Sequence, residues 1–297
     1  MRVDPFYVVN LSNSLDQTQA NEEQLTQELS SGLRVTSIGE DPVAAAQNVQ
    51  LLNTIQQDDS FTQTTSLTQG LLQVTDSALG SVVTQLNQAV SLASQANNGT
   101  LNPSDLKAIS NQLVGIRDEV LSLANTNYQG QYVFGGSQTG TTPFTLNNTS
   151  TPATVTYNGD SNVNFLQSPT GQSIQLNLPG NQVFASATSN VLGTLNSLVA
   201  DYANGTTGSG VADTAALNGA LNYVSQQRVT IDNSITRLND ASGAATEEAT
   251  QLTAVQTNLM QADLPSVSTQ LSLAQSQQSA LINVIAALGQ GSLFDKL

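Results

Sequence analysis

The stretch NYQGQYVFGGSQTGTTPF, residues 127–144, is where the sequence pattern changes from helix to strand. It is rich in tyrosine, phenylalanine and glycine, whereas the preceding sequence is built mainly from Leu, Gln, Ser, Thr and Ala. The later segments ATVTYNGD, NVNFLQ and SIQLNLPG carry β-branched and aromatic residues between Gly, Pro and Asn. This composition predicts a small β region from about residue 129 to residue 184. Within it, the Asn-Gly pair of YNGD predicts a tight hairpin turn.

Long amphipathic segments lie on both sides of this β region. Apolar residues at steps of three and four predict helices from Pro42 to about Ala96, from Pro103 onward, and over about 211–262. Asp41 and Asn102 each precede a proline, which predicts a helix start because the side chain caps the first turn and proline lacks only an unneeded N–H. We interpret the apolar stripes over 72–96, 106–123 and 224–238 as the internal core of a helical bundle.

Both ends of the chain carry apolar stripes with heptad spacing, which we call the terminal seams. An average spacing of 3.5 residues keeps such a stripe facing a partner helix. Gly32 is placed to end the first helix, and Pro265 fits the first turn of the last one. We predict that the two ends lie side by side and that their seams form an assembly interface between subunits. The predicted interface residues are Val8, Leu11, Leu15, Leu25, Leu29, Leu264, Val267, Leu271, Leu281, Ile285 and Leu288.

The predicted fold class is therefore α+β and mainly α. Long heptad-patterned terminal helices form a coiled coil and a helical bundle, and a small β domain is inserted at the centre of the chain. Each terminal stripe needs a partner, since isolated helices are marginal in water.

The composition excludes several classes of partner and of catalytic site. Acidic residues outnumber basic ones 22 to 7 in 297 residues, giving a formal charge of −15, so nucleic acid and acidic lipid surfaces are not expected as partners. The sequence shows no apolar run of about 20 residues and no signal-peptide core, so we expect neither a membrane anchor nor a cleaved signal. The absence of Cys and His excludes zinc sites of those ligands, Ser-His-Asp triads and Cys nucleophiles.

Candidate polar motifs favour structural interpretations. The acidic pairs, such as Glu40-Asp41, are sequence neighbours at helix caps or on solvated faces. DSNVN at 160–164 begins like a calcium loop, but it lacks the loop's glycine and closing glutamate, so we interpret it as a hairpin turn. GTTGSG at 205–210 lacks the lysine of a phosphate loop and is interpreted as a linker. We predict no catalytic residue, cofactor or metal.

Several motifs resemble the bacterial flagellin family, in particular its hook-associated branch. QELSSGLRVTSIGEDPVAAA, residues 27–46, is similar to the family motif between the first two helices. VTYNGD at 155–160 and NLPGNQVF at 177–184 also resemble the branch, and SLFDKL at 292–297 resembles its ending, with Lys296 where the usual pattern has an aromatic residue. The middle signature of the branch is carried by Tyr132, Phe134, Gly136, Thr139, Pro143 and Phe144.

This resemblance implies a structural component of the flagellum that forms a layer between hook and filament. It implies three zones: 1–42 with 263–297 as a terminal coiled coil, 43–128 with 211–262 as a helical bundle, and 129–210 as an outer β domain. The implied partners are further copies of the chain, the preceding hook-associated junction protein, flagellin, and a cytoplasmic export chaperone that binds the C-terminal seam. The resemblance also implies flagellar export without a cleaved signal peptide, and seams that become ordered when neighbours cover them.

Two alternatives stay open. Filament flagellin shares the terminal helices but lacks the middle signature that begins at Tyr132. An enzyme carried on the same scaffold needs catalytic groups in the outer β domain, where Asp160 and Asp201 are the only acids. We therefore predict a structural protein that is not an enzyme.

Overall fold

The computed structural model describes the backbone of residues 5–186 and 190–294 and the side chains of residues 9–186 and 190–287. Its helices are α1 (Pro5–Ser31), α2 (Pro42–Ala96), α3 (Pro103–Ala124), α4 (Gly180–Val183), α5 (Val191–Ala203), α6 (Gly210–Met260) and α7 (Leu264–Phe294). Its strands are β1 (Asn127–Tyr128), β2 (Gln131–Tyr132), β3 (Phe144–Asn147), β4 (Thr154–Tyr157), β5 (Phe165–Gln167) and β6 (Ser173–Gln175). This order confirms the predicted mainly helical α+β fold.

The helix ends follow the local chemistry of the sequence. Gly32 adopts a φ of +71°, and its N–H donates to the carbonyl of Glu28 at 2.8 Å, which ends α1. The Asp41 carboxylate accepts a hydrogen bond from the N–H of Ala44 at 3.0 Å and so caps α2. Asn102 caps α3 within a capping box that it forms with Asp105. The predicted starts of both helices are confirmed.

The chain divides into two compact units. The terminal unit contains the residues through Gln57 and those from Glu247 onward, and the central unit is Asp58–Thr246. Helices α2 and α6 contribute residues to both units. The three-zone division that the resemblance implies stays a prediction.

The central unit has a closed hydrophobic core. The predicted stripe from Leu72 to Ala96 on α2 is buried along its whole length, and the stripes on α3 and α6 join it. The prediction that these stripes form an internal core is confirmed. The buried core residues of the three helices include Leu72, Leu79, Val82, Leu86, Leu106, Ile109, Leu113, Val120, Leu217, Val224, Ile231 and Leu238.

The β region consists of three antiparallel two-stranded pairs: β1 with β2, β3 with β4, and β5 with β6. Its aromatic rings share the core of the helices: Phe134 and Phe144 each make an edge contact with Phe184, at centroid distances of 5.1 and 5.5 Å. The Asn125 side chain at the end of α3 bonds both the N–H and the carbonyl of Phe144, at 2.8 and 2.9 Å. The chain therefore leaves α3 and enters the β region through a fixed turn.

The predicted Asn-Gly hairpin turn is wrong. Strands β3 and β4 pair from Phe144↔Tyr157 to Asn147↔Thr154, so residues 148–153 connect them and the Asn-Gly pair lies beyond β4. The Tyr157 hydroxyl lies 2.9 Å from the carbonyl oxygen of Phe134 and 2.8 Å from that of Asp160. This hydroxyl holds the residues after β4 against the turn at Phe134, which prevents them from reversing into a second tight hairpin.

The predicted hairpin turn at 160–164 is also wrong. The Asp160 carboxylate accepts hydrogen bonds from the N–H of Ser137 at 2.8 Å and of Asn162 at 3.0 Å, and from the Ser137 hydroxyl. These bonds, the Ser137 hydroxyl first, lower the pKa of Asp160. The segment 160–164 is therefore hydrogen-bonded to the turn at Ser137, and it does not connect two strands that pair with each other.

Candidate assembly surface

The terminal helices α1 and α7 pack against each other in the terminal unit. Leu25 of α1 is buried together with Ala262, Val267 and Ala274, and Leu271 packs partly buried against them. Leu25 lies on α1, and Val267, Leu271 and Ala274 lie on α7, so heptad spacing places them on facing sides of two long helices. Ala262 lies just before α7. The prediction that the two ends lie side by side is confirmed.

The predicted interface residues differ in their exposure. Leu25 and Val267 are buried, whereas Leu29 and Leu264 are 38% and 41% exposed. The side chain of Val8 and that of Leu288 lie outside the described residues. The remaining predicted residues are half-buried: Leu11, Leu15, Leu271, Leu281 and Ile285. The two seams are thus brought together within one chain, but most of their length is only partly covered. Their contact with other subunits stays a prediction.

The connector between α1 and α2 is bonded to the junction of α6 and α7. The N–H of Arg34 donates to the carbonyl of Met260 at 2.7 Å, and the N–H of Ala262 donates to the carbonyl of Gly32 at 2.9 Å. The Arg34 guanidinium also donates to the carbonyl of Leu259 at 3.1 Å. These bonds connect the chain just after the end of α1 to the chain just before the start of α7.

Two neighbouring carboxylates hold the connector in shape. Glu40 accepts from the N–H of Thr36 at 2.7 Å, and this bond is the main cause of its lowered pKa. Asp41 accepts from the N–H of Ala44, which lowers its pKa, and it also pairs with Arg34 at 3.3 Å. The cap at Asp41 was predicted, whereas the role of Glu40 was missed. Its position four residues after Thr36 is a local signal that sequence reasoning could have used.

Exposed apolar side chains also lie on the terminal helices outside the seam. On α7, Leu273, Ile282 and Val284 are 58%, 48% and 42% exposed, and on α1 Val9 is 55% exposed. Heptad spacing does not identify these residues, because it selects only one face of a helix. The terminal unit therefore presents apolar surface on more than one side of its helices.

A shallow apolar cleft of about 310 Å³ adjoins the connector. Ile38, at 75% exposure, and Val49, at 56%, stand at this cleft, and Val43 beside it is 68% exposed. A concentration of exposed apolar residues is typical of a protein–protein contact surface. The cleft is lined mainly by Val35, Ile38, Pro42, Ala45, Val49 and Met260.

Two other kinds of site are absent from the part of the chain that the structure describes. Within the parts of the chain that the structure describes, no three acidic, His or Cys side chains come together as metal ligands. Nor does any helix in those parts have the length and apolar character to cross a membrane. We therefore take the apolar surface of the terminal unit as the candidate functional site.

Comparisons with known proteins agree with the fold. Residues 7–139 match the family described as the bacterial flagellin N-terminal helical region. Flagellar hook-associated protein 3 of Salmonella typhimurium is 31% identical over 187 residues, which are 63% of this chain and 57% of that protein. Flagellin 1 of Proteus mirabilis is 26% identical over 127 residues, 42% of this chain and 35% of that protein. The crystal structure of flagellar hook-associated protein 3 from Legionella pneumophila superposes with a TM-score of 0.63 at 14% identity, covering 71% of this chain and 98% of that one.

The match to the Salmonella protein is longer and of higher identity than the match to the Proteus flagellin. The chain spans 57% of the length of the Salmonella relative. The likeness to the Legionella structure shows a shared fold. Residues 7–139 are thus similar to the N-terminal helical region of bacterial flagellins, and part of the chain is similar to flagellar hook-associated protein 3.

Proposed function

We propose that this chain is a structural subunit of the bacterial flagellum that forms a layer at the junction between hook and filament. The observation that carries the proposal is the incomplete burial of the terminal unit. Helices α1 and α7 pair, yet seam residues such as Leu11 stay half-exposed and off-seam residues such as Ile282 stay exposed. Neighbouring subunits that cover this surface would complete its core.

The energetics favour such association. Fully burying a Leu, Ile or Val side chain stabilises by about 1.5–3 kcal/mol, before the entropy of ordering is subtracted. Leu273, Ile282 and Val284 all lie on the single helix α7 and are exposed. In a closed layer each subunit has neighbours on two sides, so the same residues contribute at every contact.

The partners are part of the proposal. They are further copies of this chain in a ring-like layer, the preceding hook-associated protein on one side and flagellin on the other. Similarity to proteins named flagellar hook-associated protein 3 supports this place in the flagellum. Before assembly, an export chaperone would cover the seam residues Leu271, Leu281 and Ile285 of α7. Export would proceed without a cleaved signal peptide, and neighbours would complete the ordering of the seams.

The three-zone division remains part of the same proposal. Residues 1–42 with 263–297 would form the inner coiled coil, and 43–128 with 211–262 the helical middle. Residues 129–210 would form the outer β domain. In this arrangement the β region, which has few candidate catalytic groups, catalyses no reaction. The chain acts as a structural protein and not as an enzyme.

The experiment compares two double variants in motile cells that lack the native gene. Leu273→Ser with Ile282→Ser removes exposed apolar surface from α7, and Val211→Ser with Val229→Ser is the matched control in the central unit, where both residues are also exposed. We expect the α7 variant to be exported and to lose filament attachment, while the control keeps it. Deletion of residues 264–297 should abolish attachment. Firm attachment in the α7 variant and the deletion would contradict the proposal.

The same cells distinguish the junction subunit from the alternative, a filament flagellin. Labelled copies seen by electron microscopy should form a narrow band at the base of the filament. Label along the whole filament would instead favour flagellin, to which the weaker Proteus match points.

A further inference from the structure

An open cleft of about 340 Å³ lies between helix α2 and the β1–β2 hairpin, entirely within the central unit. Leu67 of α2 forms one side and is 68% exposed. Tyr128, Gln131 and Tyr132 of the hairpin and Asn164 form much of the rest. The volume falls within the range of small-molecule sites. The assembly surface described above does not include any of these residues.

A glycine inside helix α2, Gly70, leaves the space that the Tyr128 ring occupies at this cleft. A Cβ placed on Gly70 would lie 2.6 Å from the Tyr128 hydroxyl oxygen, so the end of this ring lies directly over the backbone of α2. Glycine in a helix interior costs about 0.5–1 kcal/mol relative to alanine. The sequence therefore carries a local cost that permits one tyrosine to lie against α2 at the cleft.

A second local cost falls on the same hairpin. Gln129 adopts a φ of +51° and is followed by Gly130 at +86°, so the two residues of the tight turn both have positive φ. Among the described residues, Gln129 is the one that takes positive φ without being glycine. Its amide nitrogen lies 3.3 Å from the Tyr128 hydroxyl, and its side chain lines the cleft. Strain of this kind is typically retained where the surrounding structure uses it.

The lining indicates the chemistry of a ligand. All described residues that line the cleft are uncharged. Anionic ligands would lack a Lys or Arg, and metal cations would lack a carboxylate. Each amide side chain offers both donors and an acceptor, and each tyrosine offers an apolar ring face beside a hydroxyl. Neutral sugars present this same combination of hydroxyl groups and apolar C–H faces.

We propose that this cleft binds a neutral saccharide of one or two rings. The amides of Gln131 and Asn164 hydrogen-bond the sugar hydroxyls, and the Tyr128 and Tyr132 rings contact its C–H face.

The test is an NMR titration of the full chain with cellobiose, maltose and N,N′-diacetylchitobiose as probes. We expect the side-chain amide signals of Gln131 and Asn164 to shift with at least one of the three. Gln131→Ala should weaken that binding about tenfold, the equivalent of one lost hydrogen bond. Gln138→Ala is the matched control, because Gln138 is an exposed residue of the same segment outside the cleft, and it should leave binding unchanged.

A glycine pair tests the placement of Tyr128. Gly70→Ala should displace the ring and weaken binding, whereas Gly115→Ala in α3, where an added Cβ meets open space, should not. Backbone spectra of each variant show whether the fold is kept, and Gln131→Ala tests the proposal if Gly70→Ala does not fold. No shift with any of the three sugars, shifts that map elsewhere, equal binding by Gln131→Ala, or binding of adenosine alone would overturn the proposal. None of these results depends on flagellar assembly, so the test of sugar binding is independent of the test of the proposed function.

Discussion

The central and terminal units use the same heptad spacing with different results. In the central unit, Leu79, Leu113 and Val224 from three helices are completely buried in one core, which also contains the aromatic residues of the β region. In the terminal unit, Leu25 and Val267 are buried between α1 and α7, while Leu11 and Leu15 stay half-exposed. Spacing therefore determines which face of a helix is apolar. The number of elements that share the face determines how completely it is buried.

The largest expected effect lies in the closed core. Phe184 has no exposed surface and meets two other phenylalanine rings, so Phe184→Ala should lower the free energy of unfolding by about 3–5 kcal/mol. Urea denaturation followed by tyrosine fluorescence measures it. The chain has no Trp, and of its six tyrosines only Tyr7 lies outside the central unit.

Phe165→Ala is the matched control for that measurement. Phe165 belongs to the same β region but is 60% exposed, so its loss should change the free energy of unfolding by about 0.5 kcal/mol or less. Equal effects of the two substitutions would show that the β region does not share the closed core.

A smaller loss is expected in the terminal unit. Leu25→Ala should destabilise the α1–α7 pair by about 2 kcal/mol, at the low end for a buried leucine, because an open two-helix seam readily relaxes and admits water. Hydrogen exchange of the α1 and α7 amides measures this locally. Leu29→Ala, where the side chain is 38% exposed, should have a clearly smaller effect. If both variants behaved alike, the different burial of Leu25 and Leu29 would not determine the stability of the α1–α7 pair.

Most of the helical fold could be predicted because its signals are local. Asp41 with Pro42 and Asn102 with Asp105 form their caps within four residues, and Gly32 ends α1 through its own φ. The β region was harder to predict, because its turns depend on partners that are distant in sequence. Tyr157 bonds the carbonyl of Phe134, and this bond redirects the chain after β4.

The candidate site was only partly predictable for a related reason. Heptad spacing identified Leu25 and Val267, and the structure places them together. Heptad spacing could not show that Leu264 would stay exposed, because the exposure of Leu264 depends on where α7 begins relative to α1. It also could not identify Ile38, an isolated apolar residue in an irregular connector, as part of an apolar cleft.

An intermediate effect tests how the β region joins the central unit. Asn125 makes two hydrogen bonds to Phe144, so Asn125→Ala should lower the free energy of unfolding by about 1–2 kcal/mol. Asn148→Ala, at an exposed site in the β3–β4 connection, should have almost no effect in the same urea titration. A loss at Asn125 as small as that at Asn148 would mean that the aromatic core alone holds Phe144 in place.

The smallest expected effect is a dependence on pH that should occur in the terminal unit and not in the central unit. Hydrogen bonds from Thr36 and Ala44 lower the pKa of Glu40 and Asp41, so their folded-state pKa values lie below the unfolded ones. The stability they contribute is therefore present above about pH 4 and is lost as the pH falls through the folded-state values. We expect the hydrogen-exchange protection of the Thr36 and Ala44 amides to fall in this range, while Leu113, completely buried among apolar residues, keeps its protection.

Glu40→Gln sharpens this comparison. The neutral amide cannot lose a charge on acidification, so the pH dependence should disappear at Thr36 and remain at Ala44, which Asp41 bonds. If acid instead lowered protection at Leu113 and Thr36 together, the connector would unfold only with the central core. The terminal unit would then open and close with the central unit, and its helices could not respond to a neighbouring subunit independently.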